Sequence, residues 1–372
     1  MIYFDHAATS PLRSEVYETY VKHLKTQFAN SESSYDLGQA VSTHLEKSRA
    51  LTAGLLGVKA EDIIFTSGAS ESNSMAIKSL AWANKNKGKH IITTNIEHAS
   101  ILNATHQLET VFDFDITYLP VNKDGMISLQ QVQEAITKET ILVSIQAVNN
   151  EVGSIQPIQE IGEFLFKEKI LFHVDAVQAL SKFPLDLKLV DAASFSAHKI
   201  GGLKGSGILM LKSHHDIVPL INGGSQEFSK RGGTSNALVH TLFYKTLKLA
   251  LADKSETVKE INRYLRQELK QIENVVIHSP KQGSPYILSF SVCGFTSEML
   301  ANALNQRQIY VSYRSTCHNR DAQGSPVLRN MGKSEAEMES VLRLSFDETN
   351  TLKEAEIFIQ TLKGVINQYG SR

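Results

Sequence analysis

The sequence predicts an α/β protein built around a mostly parallel β-sheet with helices packed against it. Short runs rich in β-branched residues recur through the first part of the chain, and longer segments with helical period separate them. Such alternation of strands and helices implies parallel strands joined by right-handed crossovers. A change of texture near Asp253 indicates a second, smaller unit. The predicted strands of the main sheet are residues 63–66, 91–94, 141–145, 171–174 and 207–211.

Two of the segments between these strands have the period of a helix with one apolar face. The first opens near Glu71, and the second follows the strand at 141–145. Both stand where a crossover helix is needed to connect parallel strands. The residues that define the two apolar faces are Ala76, Ile77, Leu80 and Ala81 in the first helix, and Ile158, Ile161 and Leu165 in the second.

The last part of the chain predicts a smaller α+β domain. A charged helical segment at 255–272 leads into a strand-like run at 286–292, and a second run at 342–346 precedes an amphipathic helix at 352–369. We therefore expect a large domain of residues 14–252. The small domain is expected to combine residues 1–13 with 253–372.

Composition excludes several classes of function. The chain has 372 residues, 42% of them apolar, and a formal net charge of −1. This balance argues against direct binding to nucleic acid or to a membrane surface. The first residues show neither a basic segment nor an apolar stretch that would indicate secretion. Because only two cysteines occur, we expect no disulfide framework and a cytoplasmic location.

A pair of residues at successive strand ends predicts the chemistry. Asp175 ends one apolar strand, and Lys199 follows the next, 24 residues later. A lysine amine can form a Schiff base with the aldehyde of pyridoxal 5′-phosphate (PLP), and a carboxylate can hold the pyridine nitrogen protonated. The two residues together therefore indicate a PLP site.

Other strand ends carry polar residues that fit such a site. The turn at 66–71 can present backbone N–H groups and a helix N-terminus to a phosphate, although a capped turn without a ligand looks the same. His98 could stack on a cofactor ring and shuttle protons, or simply be solvated, and Asn150 could bond a phenolic oxygen or belong to a polar turn. Because α/β proteins bind ligands at the carboxyl ends of their strands, the combination favours a site.

Two features of the sequence resemble other sites without matching them. The glycine-rich stretch at 201–207 lacks the residue order of a P-loop, and a loop covering a ligand is the preferred interpretation. The adjacent pair His214 and His215 has no cysteine, histidine or carboxylate at the spacing of a zinc site. We therefore predict no metal site.

The chain as a whole resembles the cysteine desulfurases of the class V aminotransferase family, within fold type I of the PLP enzymes. The resemblance spans nearly the full length, and the segments around Asp175 and Lys199 are its most specific parts. The matching segments are residues 4–9, 65–73, 97–98, 148–153, 173–178, 194–199 and 231–234.

The resemblance implies a role for each residue around the cofactor ring. Lys199 would bind the cofactor covalently, and Asp175 would hold its pyridine nitrogen. Gln178 would bond the phenolic oxygen with Asn150 nearby, and His98 would stack on the ring.

The resemblance also implies the remaining contacts of the cofactor and the substrate. Thr234 would reach the phosphate from the second subunit of a homodimer. Arg343, with Asn150, would bind the carboxylate of L-cysteine, because a guanidinium fork matches that group. The implied phosphate ligands within the chain are Ala69, Ser70, Ser196 and His198.

Cys317 is the residue that would carry the sulfur. It lies in a polar, glycine- and proline-containing segment, and its thiolate could take sulfur from cysteine as a persulfide. The resemblance implies the long-loop group of the family, which passes sulfur directly to an acceptor protein, either an iron–sulfur scaffold or a tRNA-thiolation enzyme. Cys293, at the end of a strand, is expected to be a packed core thiol.

Three short segments depart from the usual pattern of the family. Residues 313–316 read Tyr-Arg-Ser-Thr where small residues are usual, and residues 323–325 lack the usual acid and proline before the serine. Residues 31–34 read Ser-Glu-Ser-Ser where asparagine, proline and two serines are usual. A bulky tyrosine and a fixed charge beside Cys317 could change loop closure or the choice of acceptor.

Three other functions remain open at this point. One is a related PLP enzyme with a different outcome, such as a selenocysteine lyase or an aminotransferase. Another is a catalytically weakened paralogue that binds the cofactor and acts as a binding partner. A nucleic-acid-binding module is the third, and the charge balance disfavours it.

Overall fold

The computed structural model describes residues 1–254, 256–313 and 325–370 of the chain. Its helices are α1 (Ser14–His23), α2 (Asp36–Leu56), α3 (Ala69–Asn84), α4 (Ala99–Phe112), α5 (Leu129–Ala135), α6 (Ile158–Glu168), α7 (Ala237–Ala250), α8 (Glu256–Leu269), α9 (Ser297–Asn305), α10 (Pro326–Asn330), α11 (Glu335–Glu339) and α12 (Leu352–Gly370). Its strands are β1 (Ile2–Phe4), β2 (Ile63–Thr66), β3 (His90–Thr94), β4 (Asp115–Leu119), β5 (Thr140–Gln146), β6 (Leu171–Asp175), β7 (Ala192–Ser196), β8 (Gly207–Leu211), β9 (Val275–Ile277), β10 (Ile287–Val292), β11 (Ile309–Val311) and β12 (Val341–Ser345).

A seven-stranded sheet in the order β2-β8-β7-β6-β5-β3-β4 forms the centre of the molecule. Strands β4, β3, β5, β6 and β7 are parallel to one another, whereas β8 is antiparallel to both of its neighbours. β2 therefore runs in the same direction as the five parallel strands. The predicted α/β class with a mostly parallel sheet is confirmed.

The reversed strand β8 is a difference from the parallel pattern, and it has a local cause. A short connection, residues 197–206, joins β7 to β8, and it contains a 3₁₀ turn but no crossover helix. A parallel neighbour would require a crossover of a dozen or more residues. Gly207 opens β8 beside Gly68, where an added Cβ would lie 2.5 Å from the Gly68 Cα. Because Gly207 has no side chain, β8 can pass directly against the turn that begins α3.

A second core lies outside the main sheet. It includes a three-stranded antiparallel sheet in the order β12-β10-β9 and the parallel pair β1-β11. Its buried residues come from the first residues of the chain and from α8 onwards, with Phe290, Phe346 and Phe358 fully buried. The sequence predicts a small domain from these same two stretches of the chain. The domain boundaries at 13/14 and 252/253 stay predictions.

The main sheet delivers the ends of six strands to one edge. β2, β3, β4, β5, β6 and β7 all end there, and the chain continues into turns or into the first turn of a helix. This is the edge at which α/β folds bind ligands. In the part of the chain that the structure describes, no helix combines the length and the apolarity needed to cross a membrane.

Candidate functional site

A cavity of about 520 Å³ lies at this edge of the sheet, between the main sheet and β12. It is large enough for a cofactor or a drug-sized ligand. The predicted site residues that line it are Ala69, Ser70, His98, Asn150, Asp175, Gln178, Ser196, His198, Lys199 and Arg343.

Lys199 lies in a single 3₁₀ turn directly after β7. Its ammonium donates hydrogen bonds to the carbonyl oxygens of Ala7 and Ala8, each at 2.7 Å. Burial lowers the pKa of Lys199 to about 8, and the charges of Arg343 and Lys182 act in the same direction. The amine is therefore more readily deprotonated than an ordinary lysine, as a nucleophilic lysine must be.

Asp175 is the last residue of β6, and its carboxylate is held by two donors. Its Oδ2 accepts from the Asn73 side-chain amide at 2.8 Å, and its Oδ1 accepts from the Val177 N–H at 3.1 Å. Both Asp175 and Asn73 are buried. A buried carboxylate in a ligand cavity, fixed in orientation, is suited to bind a protonated ring nitrogen. Sequence reasoning gave Asn73 no role.

The first turn of α3 forms one wall of the cavity. Gly68 precedes it with a φ of +154°, and a Cβ there would point toward the Ser196 hydroxyl at 4.0 Å. Ala69 and Ser70 follow with helical backbone, so the N–H groups of the first turn have no partners within the helix. His198 closes the wall, with its Nδ1 3.1 Å from the Thr9 hydroxyl. Burial lowers the pKa of His198 to about 4, aided by nearby lysine charges, so its ring is neutral.

Arg343 lies in the middle of β12 and enters the cavity from the opposite side. Its Nη2 donates to the Asp5 carboxylate at 2.7 Å, and its Nη1 donates to the Asn150 carbonyl at 2.9 Å. Its Nε is buried without a hydrogen-bond partner among the described residues. The guanidinium is thus fixed in place and still has donors to offer. Asp5 was not expected to contact it.

Gln178 also has an unused polar atom in the cavity. Its amide nitrogen donates to the Ala7 carbonyl at 3.1 Å, while its buried Oε1 has no partner in the described part of the chain. An unpaired buried amide oxygen is costly, and it is explained if a ligand completes the hydrogen bonding.

His98 is the N-terminal cap of α4, which fixes its ring at the cavity. Its Nδ1 accepts from the Ser100 N–H at 3.2 Å and lies 2.8 Å from the Ser100 hydroxyl. His98 lines the cavity, and its contact with Ser100 was not visible in the sequence.

Two predicted residues are not in the described cavity. Thr234 is exposed and is not among the cavity-lining residues of its own chain. The nearby Arg231 Nε binds Glu71 Oε1 at 2.8 Å, which holds this loop beside the first turn of α3. Cys317 lies outside the described residues. Cys293, expected in the core, is only half-buried because it follows β10 in a turn.

Glu97 is a buried acid of the cavity that sequence reasoning did not single out. Its Oε1 accepts from the Thr94 hydroxyl at 2.7 Å and from the Gln146 N–H at 3.1 Å. Burial raises the pKa of Glu97 to about 8, against the opposing effect of these hydrogen bonds, and the charge of Asp175 raises it further. Glu97 is therefore protonated at neutral pH.

We expect Glu97→Gln to stabilise the protein, and to do so more at pH 8 than at pH 5. The folded pKa lies above the ordinary value of about 4.5, so the folded state holds one more proton than the unfolded state between about pH 4.5 and 8. The stability of the wild type falls as pH rises across this window. Glutamine mimics the neutral acid without that loss.

Urea unfolding at the two pH values measures this difference. The gain in free energy of unfolding should be larger at pH 8 by about 1 kcal/mol or more. Glu139→Gln, at an exposed glutamate, is the matched control and should show no such dependence. An equal effect of Glu97→Gln at both pH values would contradict the prediction.

Away from the cavity, the structure brings the pair His214 and His215 close to Asp191. One ligand atom from each lies within 4.8 Å of the others. His215 Nε2 already binds Asp191 Oδ1 at 2.8 Å, and the Lys212 ammonium lies 3.6 Å from the same oxygen. Asp191 Oδ2 accepts from the Phe172 N–H at 2.9 Å. These contacts hold the segment after β8 against β6 and against Asp191, the residue before β7.

Comparison with known proteins identifies the class to which this fold and cavity belong. The model of the class V aminotransferase family matches residues 2–358. The cysteine desulfurase IscS of Dictyoglomus turgidum is 39% identical over 334 residues, which cover 88% of this chain and 84% of the relative. The chain belongs to the class V aminotransferase family.

Solved structures agree with this assignment. A NifS-like protein superposes with a TM-score of 0.92 at 33% identity, covering 98% of this chain and 99% of its own. A structure of SspA in complex with cysteine superposes with a TM-score of 0.85 at 32% identity, covering 94% and 99% of the two chains. Within the family, this chain is an enzyme of the cysteine desulfurase type, with the expected fold type I architecture.

Proposed function

We propose that this protein uses PLP to convert L-cysteine to L-alanine and passes the sulfur, as a persulfide of Cys317, to an acceptor protein. The observation that carries the proposal is one cavity containing a half-buried lysine, a buried aspartate and a buried arginine with unused donors: Lys199, Asp175 and Arg343. The relatives named cysteine desulfurases and the cysteine complex of SspA support the choice of substrate.

The residues of the cavity fit PLP. Lys199 would bind its aldehyde, Asp175 its ring nitrogen and the first turn of α3 its phosphate. The unpaired Gln178 Oε1 supports a ligand at this position, because it marks a buried polar group that awaits a partner. PLP, when bound, supplies an electron sink for bonds at the substrate α-carbon.

The protein's own groups would bind and orient the substrate. Arg343 is held by Asp5 and the Asn150 carbonyl, and it still has N–H groups for a carboxylate. Lys199, with its lowered pKa, can exchange a proton near neutral pH. Arg343 would bind the carboxylate of L-cysteine, and the amine, which is on the same carbon atom, would lie toward Lys199.

Sulfur transfer to Cys317 balances without an added oxidant or reductant. The thiolate would attack the sulfur atom of cysteine and form an S–S bond. The C–S bond would break, its electron pair would remain on carbon, and a proton would complete alanine. The persulfide would then serve an acceptor, which we propose to be an iron–sulfur scaffold or a tRNA-thiolation enzyme. We propose that this takes place in the cytoplasm, in keeping with the two-cysteine composition.

The test of this function is an assay of the purified protein with L-cysteine. Alanine and, in the presence of a thiol reductant, sulfide should form in equal amounts. Profiling other amino acids separates the rivals, because a selenocysteine lyase would turn over only selenocysteine and an aminotransferase would form a keto acid. A weakened paralogue would bind the cofactor and show no turnover.

Asp175→Ala is expected to keep some cofactor and to lose most activity. Without the carboxylate, the ring nitrogen is no longer held protonated, and the loss in kcat should be on the order of 10²-fold or more. Asp175→Asn, which keeps the size of the side chain, should lose a similar amount. Steady-state kinetics measures both. Near-normal activity in either variant would mean that another residue holds the ring nitrogen.

We also propose a homodimer in which Thr234 contacts the cofactor of the partner subunit. Thr234 is exposed, and the Arg231–Glu71 ion pair holds its loop next to the phosphate-binding turn. An apolar stripe on and after α1 supports association, because its large side chains face solvent: Tyr17 is 57%, Val21 49% and Phe28 72% exposed.

Light scattering should therefore give twice the 41.2 kDa mass of one chain. Val21→Glu places a charge in the stripe and should shift the protein toward monomer, whereas Lys22→Glu, beside the stripe on the same helix, should not. The Val21→Glu monomer should also retain PLP poorly, because it lacks the partner's Thr234. A stable and fully active monomer would refute the proposal.

A further inference from the structure

Asn73 is a buried amide that connects two other parts of the cavity. It lies on α3 and is fully buried. Its Nδ2 is 2.8 Å from Asp175 Oδ2 and 2.9 Å from the Ser100 hydroxyl. A carboxylate can only accept hydrogen bonds, so the nitrogen of the amide must face Asp175. With two hydrogens, that nitrogen donates to Asp175 and Ser100 at the same time.

Ser100 continues the connection to His98. The Ser100 N–H donates to His98 Nδ1 at 3.2 Å, and a backbone N–H can only donate. His98 Nδ1 must therefore carry a lone pair, which places the proton of the neutral ring on Nε2. The Ser100 hydroxyl accepts from Asn73, and its own hydrogen is directed to His98 Nδ1 at 2.8 Å. The donor of each hydrogen bond between these four residues is thus determined.

We propose that Asn73 and Ser100 are positioning residues that join Asp175 to His98 and hold the His98 ring with its proton on Nε2. The proposal rests on the proposed function in one respect, because the contacts of Asp175 and His98 with the cofactor ring are part of that function. The edge and the face of that ring would then be bound by side chains that are fixed relative to each other.

The unpaired oxygen of Asn73 supports this assignment. Asn73 Oδ1 is buried and has no hydrogen-bond partner among the described residues. Leaving a buried acceptor unpaired is unfavourable, and an apolar side chain of this size would avoid the loss. A buried amide is needed at this position because its nitrogen donates to two acceptors, Asp175 on β6 and Ser100 on α4.

This arrangement limits what His98 does in the reaction. Protonation at Nδ1 would break the hydrogen bond from the Ser100 N–H and force the hydroxyl to turn away. The ring is therefore held as a stacking surface that donates through Nε2. Proton uptake by His98 requires the contact with Ser100 to open first. The sequence suggested proton shuttling as a role for His98. While the contact between His98 and Ser100 is intact, that role belongs to Lys199.

Asn73→Asp separates positioning from packing, because it keeps the shape and removes the donor hydrogens. It should weaken PLP binding by roughly tenfold or more, since Asp175 loses a donor and gains a negative neighbour. Ser100→Ala should also weaken binding, and Ser100→Thr, which retains the hydroxyl, should restore it. Ser79→Ala, a buried serine on the same helix outside the cavity, is the control and should bind PLP normally. Equilibrium dialysis of the dimeric protein measures these affinities.

Nitrogen NMR of ¹⁵N-histidine-labelled holoenzyme gives a readout that is independent of activity. His98, assigned by its loss in His98→Gln, should show an unprotonated Nδ1 and a protonated Nε2. In Asn73→Asp the Ser100 hydroxyl can turn to the new carboxylate, so the Nδ1 signal should shift. A proton on Nδ1 in the wild type, or wild-type spectra and PLP affinity in Asn73→Asp, would overturn the proposal. Absence of alanine from cysteine would contradict the proposed function and leave the NMR result intact.

Discussion

Lys199→Ala is expected to lose the visible absorption band of the holoenzyme and all measurable turnover. Lysine is the common side chain whose amine forms an imine with the PLP aldehyde. With its pKa lowered to about 8, roughly a tenth of the Lys199 amine is neutral at pH 7, against roughly one part in three thousand for an ordinary lysine. Alanine supplies no amine at this position.

Absorption spectra of the purified variants measure the effect, and borohydride reduction followed by peptide mass analysis locates the attachment. Lys204→Ala is the matched control, because Lys204 also lines the cavity but is exposed on the loop after Lys199. It should keep the band. A reducible adduct that persists in Lys199→Ala would reject the PLP assignment of this residue.

The main sheet was predictable because most of its strands are short, apolar and separated by helices with a clear period. β4 was missed, since Asp115–Leu119 begins with an exposed aspartate and contains Thr117 and the half-buried Tyr118. As the outer strand of the sheet, it needs less apolar sequence than β5, all of whose residues are buried. The reversal of β8 was missed because strand direction depends on the connection and not on the strand itself.

The cavity was predictable to the extent that its residues follow strand ends. Asp175, Lys199 and Asn150 could be placed together because parallel strands end at one edge. Asn73 and Ser100 could not, because each lies in the first turns of a different helix, and the contact depends on how α3 and α4 pack. Sequence period gives the buried face of a helix but does not identify which side chains meet across it.

The protonation states and the ion pairs of the cavity residues could not be predicted from the sequence. The neutral state of Glu97 and the low pKa of Lys199 both arise chiefly from burial, which the sequence does not measure. Asp5 comes from the opposite end of the chain from Arg343, and the pair forms because β12 lies beside the N-terminal segment. Such contacts between distant segments set the electrostatics of the site.

Cys317→Ser is expected to bind PLP and cysteine and to release no alanine above background. Lys199, Asp175 and Arg343 remain in the variant, so both ligands should still be bound and a spectral change on adding cysteine should still occur. A hydroxyl is a far poorer nucleophile toward sulfur than a thiolate, so the C–S bond stays intact. The wild type should gain the mass of one sulfur atom on the peptide containing Cys317 after exposure to cysteine.

Cys293→Ser is the matched control for the loss of a thiol. Cys293 is half-buried after β10, its backbone N–H donates to the Asn274 carbonyl at 2.9 Å, and it does not line the cavity, so this variant should turn over at nearly the wild-type rate. Arg314, three residues before Cys317 in the sequence, provides a second comparison, because its charge either favours the thiolate that attacks sulfur or hinders docking of a basic acceptor. On the first alternative, Arg314→Ala should slow persulfide formation more at pH 7 than at pH 9, where the thiol ionises without help. On the second, it should leave persulfide formation unchanged and speed transfer to a basic acceptor. If Cys317→Ser forms alanine from cysteine at the wild-type rate, Cys317 is not the sulfur acceptor, and a PLP lyase that releases sulfur directly is the better description of this enzyme.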